Sequence, residues 1–254
     1  MIKYWYIGGD IHGDWRPIQN WEHNELRTRY SESALILLGD VGANYFNDYR
    51  DRNFKKRLNT LDIRCIYCVR GNHEMRASDA AKFGNYKLVW DDNVQGLVYI
   101  EAGFPDIRYF ADEGGIYHID GHPALIVPGA YSVDKDYRLQ MGWSWFPNEQ
   151  LNEQEQKALL DQAAGVKHFD YILAHTCPLS WEPQINDLFM SDLDQSRIDK
   201  STEKFLDQII SVVDYKHFYF GHFHDDRDIT DKNATMLFKT IVPLGDALNP
   251  QVDE

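Results

Sequence analysis

The stretch Lys3-Tyr4-Trp5-Tyr6-Ile7-Gly8-Gly9-Asp10-Ile11-His12-Gly13 joins a short apolar run to a glycine-flanked turn that carries an aspartate and a histidine. The same arrangement follows twice more. The apolar run Ala34–Leu38 ends in Gly39-Asp40, and Ile63–Val69 ends in Arg70-Gly71-Asn72-His73. Polar, helix-like stretches separate the three runs. Strand, loop and helix repeated in this order predict an α/β fold with a parallel, helix-flanked sheet.

The second half of the chain contains more β-structure. Short apolar runs predict strands over residues 97–100, 107–110, 115–119 and 123–127. Two later runs end in histidines, because Phe169–Ala174 precedes His175 and Lys216–Phe220 precedes Gly221-His222-Phe223-His224. Helices are predicted over residues 15–30, 48–59, 148–164 and 201–213, and closing strands within 227–242. Because no repeat or linker divides the chain, we predict a single domain over residues 1–254.

Composition limits the class of protein. With 43% hydrophobic and 26% charged residues, the 254-residue chain is typical of a globular protein. Its net charge is −14, which argues against nucleic acid and anionic membranes as partners. No apolar run approaches the roughly 20 residues of a membrane span. The cysteines Cys65, Cys68 and Cys177 lack the spacing of a disulfide framework, so we expect a reducing, cytoplasmic location.

Polar side chains of a few chemical kinds follow five of the predicted strands. They are Asp10, His12, Asp40, Asn72, His73, His175, His222 and His224. Taken singly, each aspartate is typical of a turn or helix cap, and each histidine of a solvated side chain. Five such loops at the carboxyl ends of strands instead favour one shared site. Mixed carboxylate, imidazole and amide donors suit Mn, Fe, Zn or Mg, whereas imidazole argues against calcium.

Together these blocks resemble the calcineurin-like metallophosphoesterase family. The matching blocks, in the family's order, are Gly9-Asp10-Ile11-His12-Gly13, Gly39-Asp40, Gly71-Asn72-His73-Glu74, Ala174-His175 and Gly221-His222-Phe223-His224. The resemblance spans residues 5–224 and implies a β-sandwich of two sheets flanked by α-helices, in place of one flat parallel sheet. It also implies two divalent metal ions, with Mn, Fe or Zn favoured over Mg. The implied ligands are Asp10, His12 and His224 for the first ion, Asn72, His175 and His222 for the second, and Asp40 between both.

The resemblance further implies a phosphoester hydrolase. A hydroxide that bridges the metals would attack phosphorus, and His73 would act as the general acid that protonates the leaving group. Arg70 completes the Arg-Gly-Asn-His-Glu block of the protein Ser/Thr phosphatase branch and would bind phosphate oxygens; the alternative is a surface arginine at a strand end. In that branch the Gly-Asp block continues with an aspartate and an arginine. Here it continues Val41-Gly42-Ala43-Asn44, so phosphoprotein phosphatase activity does not follow.

The loop Tyr131–Arg138 leads into the aromatic segment Trp143–Phe146. One hypothesis is that this loop borders the site and that Arg138 or Tyr137 touches the substrate. The alternative is an aromatic cluster that covers the edge of the sandwich.

The sequence favours a phosphomonoesterase that acts on a small phosphorylated substrate or a phosphoprotein. The alternatives are a phosphodiesterase or nuclease, a dinucleoside polyphosphate hydrolase, and a non-catalytic scaffold of the same fold that binds partner proteins. The physiological substrate, the metal and the oligomeric state are left open.

Overall fold

Two β-sheets pack face to face in the computed structural model of the protein, which describes residues 2–26, 30–189 and 194–248. The first sheet has seven strands in the order β13-β1-β2-β3-β6-β5-β4. These strands are β1 (Tyr4–Gly8), β2 (Ser33–Leu37), β3 (Cys65–Cys68), β4 (Tyr86–Asp91), β5 (Gly96–Glu101), β6 (Phe104–Phe110) and β13 (Ile241–Pro243). Strands β1, β2, β3 and β6 run parallel to one another, and the outer strands pair antiparallel.

The second sheet has six strands in the order β11-β12-β10-β9-β8-β7. They are β7 (Gly115–Ile119), β8 (His122–Val127), β9 (His168–Ala174), β10 (Asp214–Phe220), β11 (Arg227–Ile229) and β12 (Ala234–Met236). Strands β8, β9, β10 and β12 are parallel. This confirms the helix-flanked two-sheet sandwich that the family resemblance implies, and it replaces the single parallel sheet that the strand-loop-helix pattern alone suggests.

Alternating side chains of the central strands point to different cores. In β2, Ala34 and Ile36 pack between the two sheets, whereas Leu35 and Leu37 pack against the helices on the outer face. This period of two is the geometry of an extended strand, and here both faces are buried. Cys65 and Cys68 lie in these two different cores, so they face opposite sides of β3 and are free buried thiols, as their spacing predicts.

Six α-helices flank the sheets or lie in the loops of the described residues. They are α1 (Arg16–Trp21), α2 (Tyr49–Leu58), α3 (Ala77–Ala80), α4 (Lys135–Gln140), α5 (Glu153–Val166) and α6 (Ser201–Val212). A π-helix, Glu22–Leu26, continues α1, and residues 27–29 of the predicted helix 15–30 lie outside the described residues. None of the helices in residues 2–26, 30–189 and 194–248 has the length and apolar character needed to span a bilayer.

The predicted helix over residues 148–164 begins later, at Glu153. The side chain of Asn152 accepts hydrogen bonds from the main-chain N–H groups of Gln154 and Glu155, and the Glu155 carboxylate accepts from Asn152 N in return. This capping box fixes the first turn. The helix ends at Val166, two residues beyond the predicted end, and the positive φ of 69° at Lys167 terminates it.

Candidate metal centre

The carboxyl ends of strands from both sheets meet at one edge of the sandwich. Hydrogen bonds join the loops that follow them: His222 N donates to Asp10 Oδ2 at 2.8 Å, and Gly221 N donates to His175 O at 3.0 Å. The ring of His175 is 2.7 Å from the carbonyl oxygen of Leu38, at the end of the first sheet's β2. The five loops that the sequence singles out therefore form one site.

Two glycines allow the carboxylates to lie this close to neighbouring loops. A Cβ atom on Gly71 would stand 2.0 Å from Asp40 Oδ1, and one on Gly221 would stand 2.1 Å from Asp10 Oδ1. Contacts this short are forbidden to carbon, so any side chain at either position would displace a carboxylate. The glycines of the sequence blocks are thus required by the site's packing.

The backbone of the site is strained at its functional positions. Four candidate ligands adopt positive φ angles, which non-glycine residues rarely do: His12 (45°), Asp40 (48°), His222 (72°) and His224 (55°). Such conformations persist only where the surroundings over-determine them, and they cluster at functional sites. Four of the seven candidate ligands therefore have backbone conformations that their surroundings must hold in place.

Asp10, His12 and His224 form a first group. The two Nε2 atoms of His12 and His224 are 2.8 Å apart, and His224 Nε2 is 3.7 Å from Asp10 Oδ2. Burial lowers the pKa of His12 to about 4 and also lowers the pKa of His224, so both rings are neutral near pH 7. Asp10 Oδ1 is buried and has no hydrogen-bond partner among the residues that the structure describes. Two neutral imidazoles next to a buried carboxylate are donors that could hold a divalent cation.

Asp40, Asn72 and His175 form a second group beside the first. His175 Nε2 lies 2.8 Å from Asn72 Oδ1 and 3.6 Å from Asp40 Oδ2. Asp40 Oδ2 is also 3.9 Å from His12 Nε2, so this carboxylate stands between the two groups. The His222 ring completes the second group, with its centroid 5.1 Å from that of His175. The structure thus brings together all seven residues that the resemblance assigns to metal.

The ring orientation of His175 is fixed by the main chain. A carbonyl oxygen can only accept, so His175 Nδ1 carries the hydrogen that points at Leu38 O, and Nε2 faces the site. Burial by itself lowers the pKa of His175, but the carboxylates of Asp40 and Asp10 outweigh it and raise this pKa to about 9.

The pKa values of the two carboxylates are shifted in opposite directions. Burial favours the neutral form of Asp40, but the surrounding histidines, His175 foremost, hold its pKa well below the usual range. Burial raises the pKa of Asp10, and its neighbour Asp40 adds to that effect. The positive charge of the site thus compensates Asp40 more fully than Asp10.

A hydrogen-bond network missed by the sequence analysis orients Asn72. Ser132 Oγ donates its one hydrogen to Glu149 Oε2 at 2.6 Å, because a carboxylate can only accept. The same Oγ must therefore accept from Asn72 Nδ2 at 3.0 Å and from the Arg138 guanidinium at 3.1 Å. Because Asn72 Nδ2 donates to Ser132, the other amide atom, Asn72 Oδ1, faces His175. The Trp145 indole N–H also donates to Glu149 Oε2, at 2.9 Å.

Glu74 joins two loops of the site. Its buried carboxylate accepts from Gly42 N at 3.0 Å and from Gly71 N at 3.2 Å, in the loops that follow Asp40 and precede Asn72. Burial raises the pKa of Glu74 to about 7. The Gly42-Ala43-Asn44 continuation of the Gly-Asp block is structural here, since Asn44 Oδ1 accepts from Lys55 Nζ at 2.9 Å.

His73 lies at the mouth of the site. Its main-chain N–H donates to Asp40 Oδ1 at 2.8 Å, and its ring is partly exposed beside His12. Asp134 Oδ1 is 3.7 Å from His73 Nε2. Asp134 thus brings a carboxylate near His73 from the loop Tyr131–Arg138, although the aspartate expected after the Gly-Asp block is absent. No spacing rule connects Asp134 with His73, so only the fold reveals the pair.

None of the three predicted substrate contacts is among the described residues that line the two clefts at the site. Arg70 is buried, and its guanidinium donates to main-chain carbonyls, among them those of Glu149 and Asp112. Arg138 is fully buried and binds Ser132 and the carbonyl of Ser144. Tyr137 is exposed and packs against Trp143, which lines a cleft together with His12 and His73. Contact of these three side chains with a substrate stays a prediction.

Comparison with known proteins identifies the class. Residues 6–226 match the sequence profile of the calcineurin-like phosphoesterases, so the chain belongs to this family. The family generally uses divalent metals, and the Asp and His groups described above could bind them.

One solved structure, with a TM-score of 0.50, agrees in fold, and a second is similar below that level. The protein TT1561 of Thermus thermophilus is 14% identical over 94% of this chain and 89% of that chain, with a TM-score of 0.50. The phosphopantetheinyl hydrolase PptH from Mycobacterium tuberculosis is 11% identical over 92% and 88%, with a TM-score of 0.45. No curated protein matches the sequence. Identities this low bear on the fold alone.

Removing the hydroxyl of Ser132 tests the network that orients Asn72. In Ser132→Ala the Asn72 amide loses the acceptor that fixes its orientation, so we expect metal affinity to fall about 10–100-fold. Isothermal titration of the protein with Mn²⁺ measures this. Ser180→Ala, whose hydroxyl bonds Asp207 on the surface, is the matched control and should bind as the wild type does. Equal affinities for both variants would contradict the role of Ser132.

Metal binding should depend on pH. Below its pKa of about 9, His175 carries a proton on Nε2 in the metal-free protein, and a metal ion must displace that proton. The association constant for Mn²⁺ should therefore rise about tenfold per pH unit between roughly pH 6.5 and 8.5, and level off above about pH 9. Titrations in buffers of different ionisation enthalpy should show about one proton released near pH 7.5. An affinity independent of pH over this range would refute the assignment.

Proposed function

We propose that the protein is a divalent-metal-dependent hydrolase of phosphomonoesters in which His73 protonates the leaving oxygen. Family membership supports a phosphoester hydrolase. The observation that carries the proposal is Asp10 Oδ1, a buried carboxylate oxygen without a partner among the described residues, beside two neutral histidines whose ring nitrogens converge. Unpaired buried carboxylate oxygens are costly unless a cation compensates them.

Seven side chains would hold the metal. They are Asp10, His12, Asp40, Asn72, His175, His222 and His224. The chemistry that two divalent ions supply in such a site is the activation of water at neutral pH and the neutralisation of phosphoryl charge. Mn, Fe or Zn suits this mixture of nitrogen and oxygen donors best, with Mg as a further candidate.

His73 is the proton donor of the proposal. Its ring lines the cleft together with Asp40 and Asn72, so a leaving group bound there would be within its reach. The Asp134 carboxylate, 3.7 Å from His73 Nε2, also lines this cleft. An imidazole has the pKa that lets it give up a proton near neutral pH.

The proposed substrate is a small phosphorylated molecule, and the proposed compartment is the cytoplasm. The cleft beside the histidines has a volume of 320 Å³, which suits a small ligand. The three cysteines are free and buried, as expected of a protein in a reducing environment. Diesters, dinucleoside polyphosphates and phosphopeptides are the competing substrates, and an activity panel with Mn, Fe, Zn and Mg decides among them.

Asp40→Asn tests the metal dependence. The amide keeps the shape of the side chain but removes the charge between the two ligand groups, so we expect loss of bound metal and hydrolysis of p-nitrophenyl phosphate slowed by about 10³-fold or more. Metal content and rate are measured together. Asp14→Asn changes an exposed carboxylate that pairs with Arg16, and it should retain both metal and activity. Full activity of metal-free Asp40→Asn would reject the proposal.

His73→Ala tests the general acid. The variant should retain metal, while hydrolysis of phenyl phosphate slows about 10²–10⁴-fold. The loss should be smaller for p-nitrophenyl phosphate, because p-nitrophenolate leaves without needing a proton. Steady-state rates with both esters measure the difference. Near-wild-type rates, or equal losses for the two esters, would exclude His73 as the acid.

A further inference from the structure

A cleft of 320 Å³ opens directly from the candidate metal centre. One wall consists of site residues, among them Asn72, His73 and His222. The rest of the lining comes from other parts of the fold, chiefly the segments around Tyr131, Phe189 and residues 195–203. A phosphoester whose phosphate lies at the metal centre would therefore extend its remaining part into this space.

Apolar side chains make up much of the remaining lining. They are Tyr131, Leu188, Phe189, Ile198 and Phe223, and all are only half-buried. The rings of Phe189 and Phe223 lie 6.0 Å apart and form an aromatic corner. Apolar surface left open inside a cleft gains free energy when an apolar or aromatic group covers it.

The same cleft contains a buried acceptor that lacks a donor. Glu203, at the start of α6, is 4% exposed and lines the cleft. Its Oε1 accepts from the hydroxyl of Thr176 at 3.1 Å, whereas Oε2 has no partner in the part of the chain that the structure describes. Gln195 Oε1, in the same lining, is likewise buried and unpartnered within the described ranges.

The positively charged side chain of Lys200, which also lines the cleft, already has other partners. Its ammonium donates to Glu182 Oε1 at 2.7 Å and lies 5.2 Å above the Phe189 ring. Burial raises the pKa of Glu203 to about 7, as expected for a carboxylate without full compensation. A ligand N–H or O–H group that reached Oε2 would supply the missing hydrogen bond.

We infer that this cleft binds the leaving group of the substrate and selects an apolar or aromatic group that carries an N–H or O–H donor, with Glu203 as the acceptor. The inference rests on the proposed phosphoester hydrolysis and specifies its substrate class. A pocket that contains a buried hydrogen-bonding group discriminates strongly against a ligand that lacks the matching group, because the acceptor then stays unpaired. Simple alkyl phosphates and inorganic polyphosphates fit this cleft poorly.

The test compares esters that differ in a single N–H group. The probes are phenyl phosphate and its meta- and para-acetamido derivatives, each acetamido ester being paired with the N-methyl analogue that lacks the N–H. We expect at least one acetamido ester to be hydrolysed with a kcat/KM about 10-fold or more above that of its N-methyl partner. This ratio is independent of how much of the enzyme is active.

Variants of Glu203 assign the preference to this residue. Glu203→Met keeps the length of the side chain but has no acceptor, so the ratio of kcat/KM between the acetamido ester and its N-methyl partner should fall to about one. Glu203→Gln retains an acceptor oxygen, so this ratio should stay above one but below the wild-type value. Glu155→Gln, a carboxylate that pairs with Arg76 outside the cleft, is the control and should preserve the ratio.

The outcomes separate the two proposals. If the wild-type protein with metal hydrolyses none of these esters, the proposed function fails. If it hydrolyses them with equal kcat/KM for the N–H and N-methyl members, or if Glu203→Met keeps the preference, the function stands and the inferred subsite is overturned. If Glu203→Met does not fold, Glu203→Gln takes its place. The amide oxygen is a weaker acceptor than the carboxylate, so the kcat/KM ratio between the N–H and N-methyl esters should fall. A ratio equal to that of the wild type would overturn the subsite.

Discussion

Two buried carboxylates, Asp10 and Asp40, tie the loops of this protein together. Each accepts a main-chain N–H at 2.8 Å from a loop that follows another strand: His222 N for Asp10 and His73 N for Asp40. A buried negative charge destabilises a fold unless hydrogen bonds and positive charge compensate it. The histidines around the carboxylates supply part of that compensation, and Asp10 Oδ1 still lacks a partner within the described residues. The junction of the two sheets therefore has side chains that could hold cations.

The rigidity of this junction comes from residues that do not themselves face the cations. Glu74 joins the loops after β2 and β3 through two main-chain amides, and Ser132 with Glu149 fixes the amide of Asn72. The carboxylates of Glu74 and Glu149 are buried, and each accepts hydrogen bonds through both of its oxygens. Side chains locked in this way hold ligands in one geometry before any cation binds, which limits the reorganisation that binding requires.

The fold could be predicted from the sequence because it follows from local signals, and the same signals predict the seven candidate ligands that the structure brings together. An apolar run that ends in Gly-Asp or Gly-Asn-His marks the carboxyl end of a strand, and the order of the blocks identifies the family. The burial of Arg70 and Arg138 could not be predicted, because the local sequence does not reveal the surroundings of these side chains. Arg70 contacts the carbonyl of Glu149, 79 residues away. Asp134 and Glu203 were missed for a related reason, since nothing in their own neighbourhoods marks them as parts of a cleft.

The hydrogen bond between Asp10 and His222 spans 212 positions of the chain. A contact of such sequence separation forms late, because the entropy of closing so long a loop is repaid only when the intervening sheets have docked. During synthesis from the N-terminus, the first sheet's central strands emerge with Asp10 and Asp40 long before the histidines that complete their surroundings. The nascent chain thus carries two carboxylates that remain hydrated until residues 222–224 arrive, and of the second sheet only β11 and β12 follow after that point.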